Sequence, residues 1–287
     1  MRIALIGADG QLGSDLKKIL DKDEVTPLYY PDFDVTEPLK VRIALEGLRP
    51  EVVINTAAFH RVDECEDNPE TSFQVNALAV RDLARIGREL DFALVHFSTD
   101  YVFDGRKKSP YVEDDPPNPL NVYAVSKLAG EFFIRSLLDR HFIVRTCGLF
   151  GEASSREKGY NFVDRMIVLE GEGKMLRVVD DQWVTPTATA ELAERVSDLI
   201  RTEHYGLFHL TSRGECTWFR FAQKVFALMG KKPRLEPVDS QSYGSKARRP
   251  LYSVLDNKKA KEIGLKDFSP WDKALEVYLR RKGFIPG

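Results

Sequence analysis

A chain of 287 residues, 43% hydrophobic and 10% aromatic, can bury one large core or two modest ones without disulfide or metal staples. Forty-two Lys and Arg against forty-four Asp and Glu leave a formal charge of −2, so no basic field points to nucleic acid or an anionic membrane surface. No stretch approaches the ~18 apolar residues of a membrane-spanning helix. The first residues run straight into a strand-like segment with no signal-peptide pattern, and three scattered cysteines (Cys65, Cys147, Cys216) fit reduced thiols, so a cytoplasmic protein is expected.

In chain order, residues 1–150 alternate short β-branched runs with longer helical patterns, the signature of βα units on a parallel sheet. Strands are predicted at Arg2–Ile6, Val25–Tyr29, Glu51–Asn55, Ala93–Phe97 and Phe142–Arg145. Their apolar runs lack polar alternation, as in strands covered on both faces. Helices are predicted at Gln11–Asp21, Glu37–Leu48, Pro69–Leu90 and Leu120–Arg140; Leu83, Ile86, Gly87 and Leu90 share one buried face. Glu152–Gly159 reads as a mobile polar loop. Beyond it come a strand at Leu176–Val179, a helix at Thr189–Ile200 and a strand at Gly206–Thr211. A helix at Thr217–Met229, a Pro-rich connection, a basic turn at Lys246–Pro250 and a last helix at Trp271–Lys282 complete the pattern. The fold class is α/β: a Rossmann-type doubly wound parallel sheet in residues 1–148, joined by 178–212. A smaller α/β C-terminal substrate lobe takes 149–177 and 213–287.

The turn after the first strand, Gly7-Ala8-Asp9-Gly10-Gln11-Leu12-Gly13, opens the first helix. Glycines at this spacing keep the turn tight, bring backbone close to a pyrophosphate and let helix pack on strand. The helix N-terminus adds N–H groups and partial positive charge. The second strand ends Leu28-Tyr29-Tyr30-Pro31, with no acid to select a ribose 2′-hydroxyl and no base to hold a 2′-phosphate. NADH and NADPH both remain open, and Asp34 or neighbouring Lys40 and Arg61 are the side chains to watch.

The fourth strand runs into Ser98-Thr99-Asp100, at the strand end where open α/β sheets bind ligands. Tyr123 and Lys127 follow at i and i+4 on one helix face. A phenol with an ordinary pKa near 10 is a poor proton catalyst at neutrality, and a neighbouring ammonium is expected to draw it down. Tyr278 and Lys282 repeat the spacing near the C-terminus, where a fraying surface helix is the simpler reading.

The order of these pieces, with Asn55-Thr56-Ala57-Ala58, Val62–Glu66, Ser98–Gly105, Asn121–Glu131, Asp180-Asp181-Gln182 and Ala247-Arg248-Arg249-Pro250, resembles the extended short-chain dehydrogenase/reductases, and within them the dTDP-4-dehydrorhamnose reductase family. The resemblance covers nearly the whole chain. It implies NAD(P)H-dependent reduction of the C4 keto group of a nucleotide-linked 6-deoxy sugar. By the same resemblance Gly7, Asp9, Gly10, Gln11, Leu12 and Gly13 would form the pyrophosphate turn. Asp34 and Val35 would lie by the adenine, and Ala57 and Ala58 along the dinucleotide. Thr99 would bind the substrate carbonyl, Tyr123 donate its proton, Lys127 hold the nicotinamide ribose, and Asp100, Arg248 and Arg249 meet the sugar nucleotide. Where that family commonly has Trp after the fifth strand, this chain has Gly148.

Some members use magnesium at acidic residues, with Asp15 and Glu191 near matching positions. A first-turn acid is as well explained by the helix dipole, and no metal is assigned. His60 and Asp63 read equally as substrate-side residues or as a solvated loop. Trp218 and Phe219 read as core, and Cys147 lacks the partners of a nucleophile. A homodimer is possible. Two other classes fit the same fold: a cofactor-binding regulatory subunit resembling the methionine adenosyltransferase beta subunit, and a nucleotide-sugar epimerase.

Overall fold

Strands that are apolar on both sides need cover on both faces, and the helices supply it. In the computed structural model, which describes residues 1–153 and 159–286, the first half of the chain carries β1 (Arg2–Ile6), α1 (Gln11–Ile19), β2 (Glu24–Leu28), α2 (Pro38–Leu48) and β3 (Val52–Asn55). Then come α3 (Val62–Asp67), α4 (Pro69–Phe73), α5 (Ala79–Leu90), β4 (Ala93–Thr99), α6 (Val122–Leu137) and β5 (His141–Thr146). The second half adds β6 (Leu149–Phe150), α7 (Phe162–Gly171), β7 (Leu176–Val179), β8 (Trp183–Val184), β9 (Thr187–Ala188), α8 (Thr189–Leu199) and β10 (Gly206–His209). It ends with β11 (Cys216–Thr217), α9 (Trp218–Leu228), β12 (Leu235–Val238), α10 (Ser240–Tyr243), α11 (Lys258–Glu262) and α12 (Trp271–Arg281).

One parallel sheet runs β2–β1–β3–β4–β5–β10. Along β1, Ile3 and Leu5 enter one core with Leu12 and Leu16 of α1 and Val196 of α8, while Ala4 and Ile6 enter the other with Leu83 of α5 and Ile134 of α6. That two-residue alternation between two apolar cores makes the sheet doubly wound. The order reverses at β1, between β2 and β3, which opens a crevice beyond the carboxyl ends of these strands. No helix among the described residues is long and apolar enough to cross a membrane.

Several elements differ from the sequence expectation. β4 runs two residues further than Phe97, because Ser98 and Thr99 still pair with Arg145 and Thr146. The helix expected over 69–90 is three pieces: α4, a π-helical turn at Gln74–Leu78 and α5. Asn76 in that turn exchanges hydrogen bonds with the Phe59 backbone and donates to Ser126 of α6. α6 begins at Val122 because the Asn121 side chain accepts from Ala124 N–H at 2.9 Å. The Pro-rich connection contains β12, which pairs with β7. Strands within 178–188, given to the Rossmann part by sequence, pair in small sheets outside the main one, while β10 joins it and α8 packs on it beside α1. Of the predicted loop at 152–159, residues 154–158 lie outside the described residues. Tyr278 is buried, with its hydroxyl held by Asn161 and Asp164, so that helix end is packed and not frayed.

Candidate active site

The crevice is a cleft of about 1700 Å³, larger than the ~300–1,000 Å³ of a single small-ligand pocket. At its floor the glycine turn is pinned from both sides. Gly7 N–H donates to Leu28 C=O at 2.9 Å, and the Thr56 hydroxyl donates toward Ile6 and Gly7 carbonyls at 2.8 and 3.0 Å. Gly7, Asp9, Gly10, Gln11 and Leu12 line the cleft, as do Asp34, Val35, Ala57 and Ala58. Gly13 does not line it. A Cβ there would lie 2.2 Å from the Gly7 carbonyl oxygen, so glycine is what lets α1 start flush against the turn. The Asp34 carboxylate accepts from the Thr36 N–H and hydroxyl at 2.8 and 2.7 Å, capping its own turn.

Thr99, Asp100, Tyr123 and Lys127 meet at the inner end of the cleft. The Thr99 hydroxyl donates to Asp100 Oδ1 at 3.2 Å and accepts from Tyr101 N–H at 3.1 Å. Asp100 is only 3% exposed and accepts from Cys147 Sγ at 3.1 Å. Burial pushes its carboxyl up to about 6, with the Cys147 and Thr99 contacts holding it back in part. Burial, then the Asp100 charge, also push the Tyr123 phenol above its ordinary value. The sequence expected Lys127 to draw that phenol down. Instead Lys127 turns to His96, its Nζ 3.2 Å from Nε2, and burial lowers the lysine itself to about 7, with Glu131 opposing. Glu131 is taken by Arg145, Nε to Oε1 at 2.9 Å and Nη2 to Oε2 at 2.6 Å.

Of the two arginines in the basic turn, Arg249 lines the cleft and Arg248 does not. Arg248 is exposed, and its backbone carbonyl accepts from Asn121 Nδ2 at 2.8 Å. Asp63, read from sequence as equally a loop residue, sits in α3, where it accepts from Arg249 Nη2 at 3.0 Å and Ala247 N–H at 2.9 Å. His60 lines the cleft. Gly148 adopts φ +54°, and a Cβ there would stand 3.2 Å from both the Trp218 ring and Pro186 Cα. Trp218 lines the cleft as well as packing on Phe162, so an indole stands beside the face that Gly148 leaves open. Sequence reading favoured core for Trp218, which its packing on two apolar clusters bears out; its approach to Gly148, across 70 residues, was not legible. Cys147 is buried with its thiol pushed well up, in keeping with no nucleophilic role. Asp15 lies in the second turn of α1, where it accepts from the Thr189 hydroxyl at 2.6 Å. Glu191 accepts from Ser269 N–H at 2.8 Å. Among the described residues no group of three or more His, Cys, Asp or Glu is placed to hold a metal.

The model of the RmlD substrate binding domain matches residues 1–283. A dTDP-4-dehydrorhamnose reductase from Streptomyces griseus is 40% identical over 283 residues, 96% of this chain and 91% of that one. The chain belongs to the dTDP-4-dehydrorhamnose reductase family. A second relative, a dTDP-4-keto-6-deoxy-D-glucose reductase from Streptomyces niveus, is 39% identical over 278 residues, 96% of this chain and 95% of that one. The crystal structure of the family member from Bacillus anthracis, in complex with NADP, superposes with a TM-score of 0.93 at 34% identity, covering 98% of this chain and 99% of that one.

Proposed function

We propose that this reductase uses NAD(P)H to reduce the C4 keto group of a dTDP-linked 6-deoxy sugar. The observation that carries the reading is a phenol kept protonated by burial, beside the Thr99 hydroxyl and above a buried lysine, in a cleft that reaches the glycine turn. The cleft residues fit a dinucleotide: the Gly7–Leu12 cradle for its pyrophosphate, Asp34 and Val35 for the adenosine, Ala57 and Ala58 along its length. When bound, the reduced nicotinamide supplies the hydride. Tyr123 donates the proton to the forming alkoxide. Thr99 swings its hydroxyl proton from Asp100 to the carbonyl oxygen, Lys127 holds the ribose, and Asp100 and Arg249 meet the sugar nucleotide. Arg248 positions this turn through its backbone.

The cofactor-binding unit in this reading is residues 1–148 with 189–212, and the remainder closes over the sugar. The chain works in the cytoplasm as a homodimer. Exposed Val125 and Phe132, two turns apart on α6, are the apolar surface that favours a second copy. Light scattering tests the dimer.

A panel of sugar nucleotides with NADH and NADPH, read at the nicotinamide absorbance, tests the activity. Oxidation with a 4-keto-6-deoxy substrate is expected. Tightly retained NAD⁺ with no net consumption would instead mark an epimerase, and no turnover with a co-purifying enzyme a regulatory subunit. Arg61 pairs with Glu64 and Lys40 with Glu37, while Asp34 caps its own turn, so no charge at the ribose is committed to either cofactor. The two are expected within about tenfold in KM, or ~1.4 kcal/mol. A hundredfold preference would contradict this.

A further inference from the structure

Behind the cleft, Asn55 at the end of β3, His96 beside it in register on β4 and Lys127 of α6 form a buried line whose hydrogen-bond directions can be counted. The Asn55 side-chain oxygen accepts from Ala57 N–H at 3.1 Å. That contact orients the amide and turns its NH₂ group to His96, with Nδ2 3.4 Å from Nδ1. A ring nitrogen that accepts carries no proton, so a neutral imidazole in this place keeps its proton on Nε2. Nε2 faces Lys127 Nζ at 3.2 Å. An ammonium has three donors and no lone pair, so only an uncharged amine can accept that N–H. His96 is fully buried, so both ring nitrogens take their partners from the protein.

We infer that Asn55 and His96 are positioning residues that fix the donor order toward Lys127 and hold it as a neutral amine in the ligand-free protein. Burial acts in the same direction on both groups: it holds His96 well below its ordinary value, hence neutral, and brings Lys127 down to about 7. The other titratable and charged groups around the lysine are Glu131 one turn along α6, with Arg145 of β5 bound to it, and Tyr123 toward the cleft. Asp100 and Cys65 act on that phenol. The consequence for turnover rests on the reductase reading: the lysine becomes an ammonium only as cofactor binds, so its charge is switchable near neutral pH.

The test begins on the ligand-free protein. Nitrogen NMR of ¹⁵N-histidine-labelled chain at pH 8, with the His96 signals assigned by their loss in His96→Gln, is expected to show the Nε2–H tautomer. The Nδ1–H tautomer or an imidazolium would overturn the inference whether or not the Asn55 variant below folds. Asn55→Asp replaces the NH₂ donor by a carboxylate that can only accept. It is expected to convert His96 to the Nδ1–H form and to leave Nε2 accepting from a lysine ammonium. The alkaline limb of kcat/KM should then move up by about one pH unit or more. An unmoved limb in a folded Asn55→Asp variant with wild-type tautomer would also overturn it. The tautomer needs neither substrate nor cofactor, so a chain that turned over no sugar nucleotide would count against the proposed activity and not against this arrangement.

Discussion

Tyr123 and Asp100 both line the inner cleft; burial makes each harder to ionise, and the Asp100 charge adds to the effect on the phenol. A phenol held above its ordinary value is a weak acid in the ground state. It gives up its proton readily only to an oxygen that has gained charge, as the carbonyl oxygen does on reduction. Tyr123→Phe keeps the ring and its edge contact with Tyr101 but removes the proton, and should lower kcat ~10²–10⁴-fold with little change in substrate affinity. Steady-state NADPH oxidation decides this, and wild-type turnover would sink the role.

For Asp100 the sign follows from burial. Its folded value of about 6 lies above the ordinary 3.8, so the folded chain holds the proton more tightly than the unfolded one. The stability tied to this group is complete below about pH 4 and lost as pH rises through 6. Asp100→Asn, always neutral, should therefore exceed wild type by about 1–3 kcal/mol at pH 8 and by nothing near pH 4. Urea unfolding at the two pH values gives the comparison, and the same variant should bind the sugar nucleotide less well.

Among the elements, α1 depends most on a missing side chain. With Gly13→Ala the new Cβ meets backbone, the Gly7 carbonyl and Ala8 Cα at 2.2 and 2.8 Å, and neither can rotate away. Helix and turn must separate. A stability loss of about 1–3 kcal/mol is expected, with NADPH binding weakened more than stability alone explains, as fluorescence titration would show. An unchanged dissociation constant would contradict that.

The same element was legible from sequence, because glycine spacing, strand and helix all lie within a dozen residues and express local geometry. Tyr123 and Lys127 were legible for the same reason: one helix turn separates them. What escaped was made by distant partners. The π-helical turn at 74–78 arises where Asn76 serves Phe59 and Ser126 at once, and Gly130 admits its carbonyl, 2.4 Å from where a Cβ would stand. β12, with Pro237 and Glu236 in four residues, has no apolar pattern of its own and exists as a strand through β7. The direction of the Lys127 contact was likewise hidden, since His96 lies 31 residues away.

At the scale of the molecule, α3 joins the two parts on either side of the cleft. Asp63 binds Arg249 and Ala247 N–H, and Asp67 pairs with Lys246, so one side of the helix grips the basic turn at 246–249. Glu66, on the same face at i+3 from Asp63, accepts from Val122 N–H at 2.8 Å, the residue before Tyr123 at the start of α6. A ligand that draws the 246–249 turn inward therefore pulls on the helix end that carries Tyr123. Asp63→Ala removes two of these ties without touching the glycine turn or the phenol. The Asp63 side chain is 46% exposed, so solvent screening limits the effect. KM for the sugar nucleotide should rise about threefold to tenfold, below or near ~1.4 kcal/mol, while KM for NADPH stays put. Initial rates with each ligand varied in turn separate the two. Equal rises in both constants would mean that α3 supports the whole cleft and not the 246–249 turn alone.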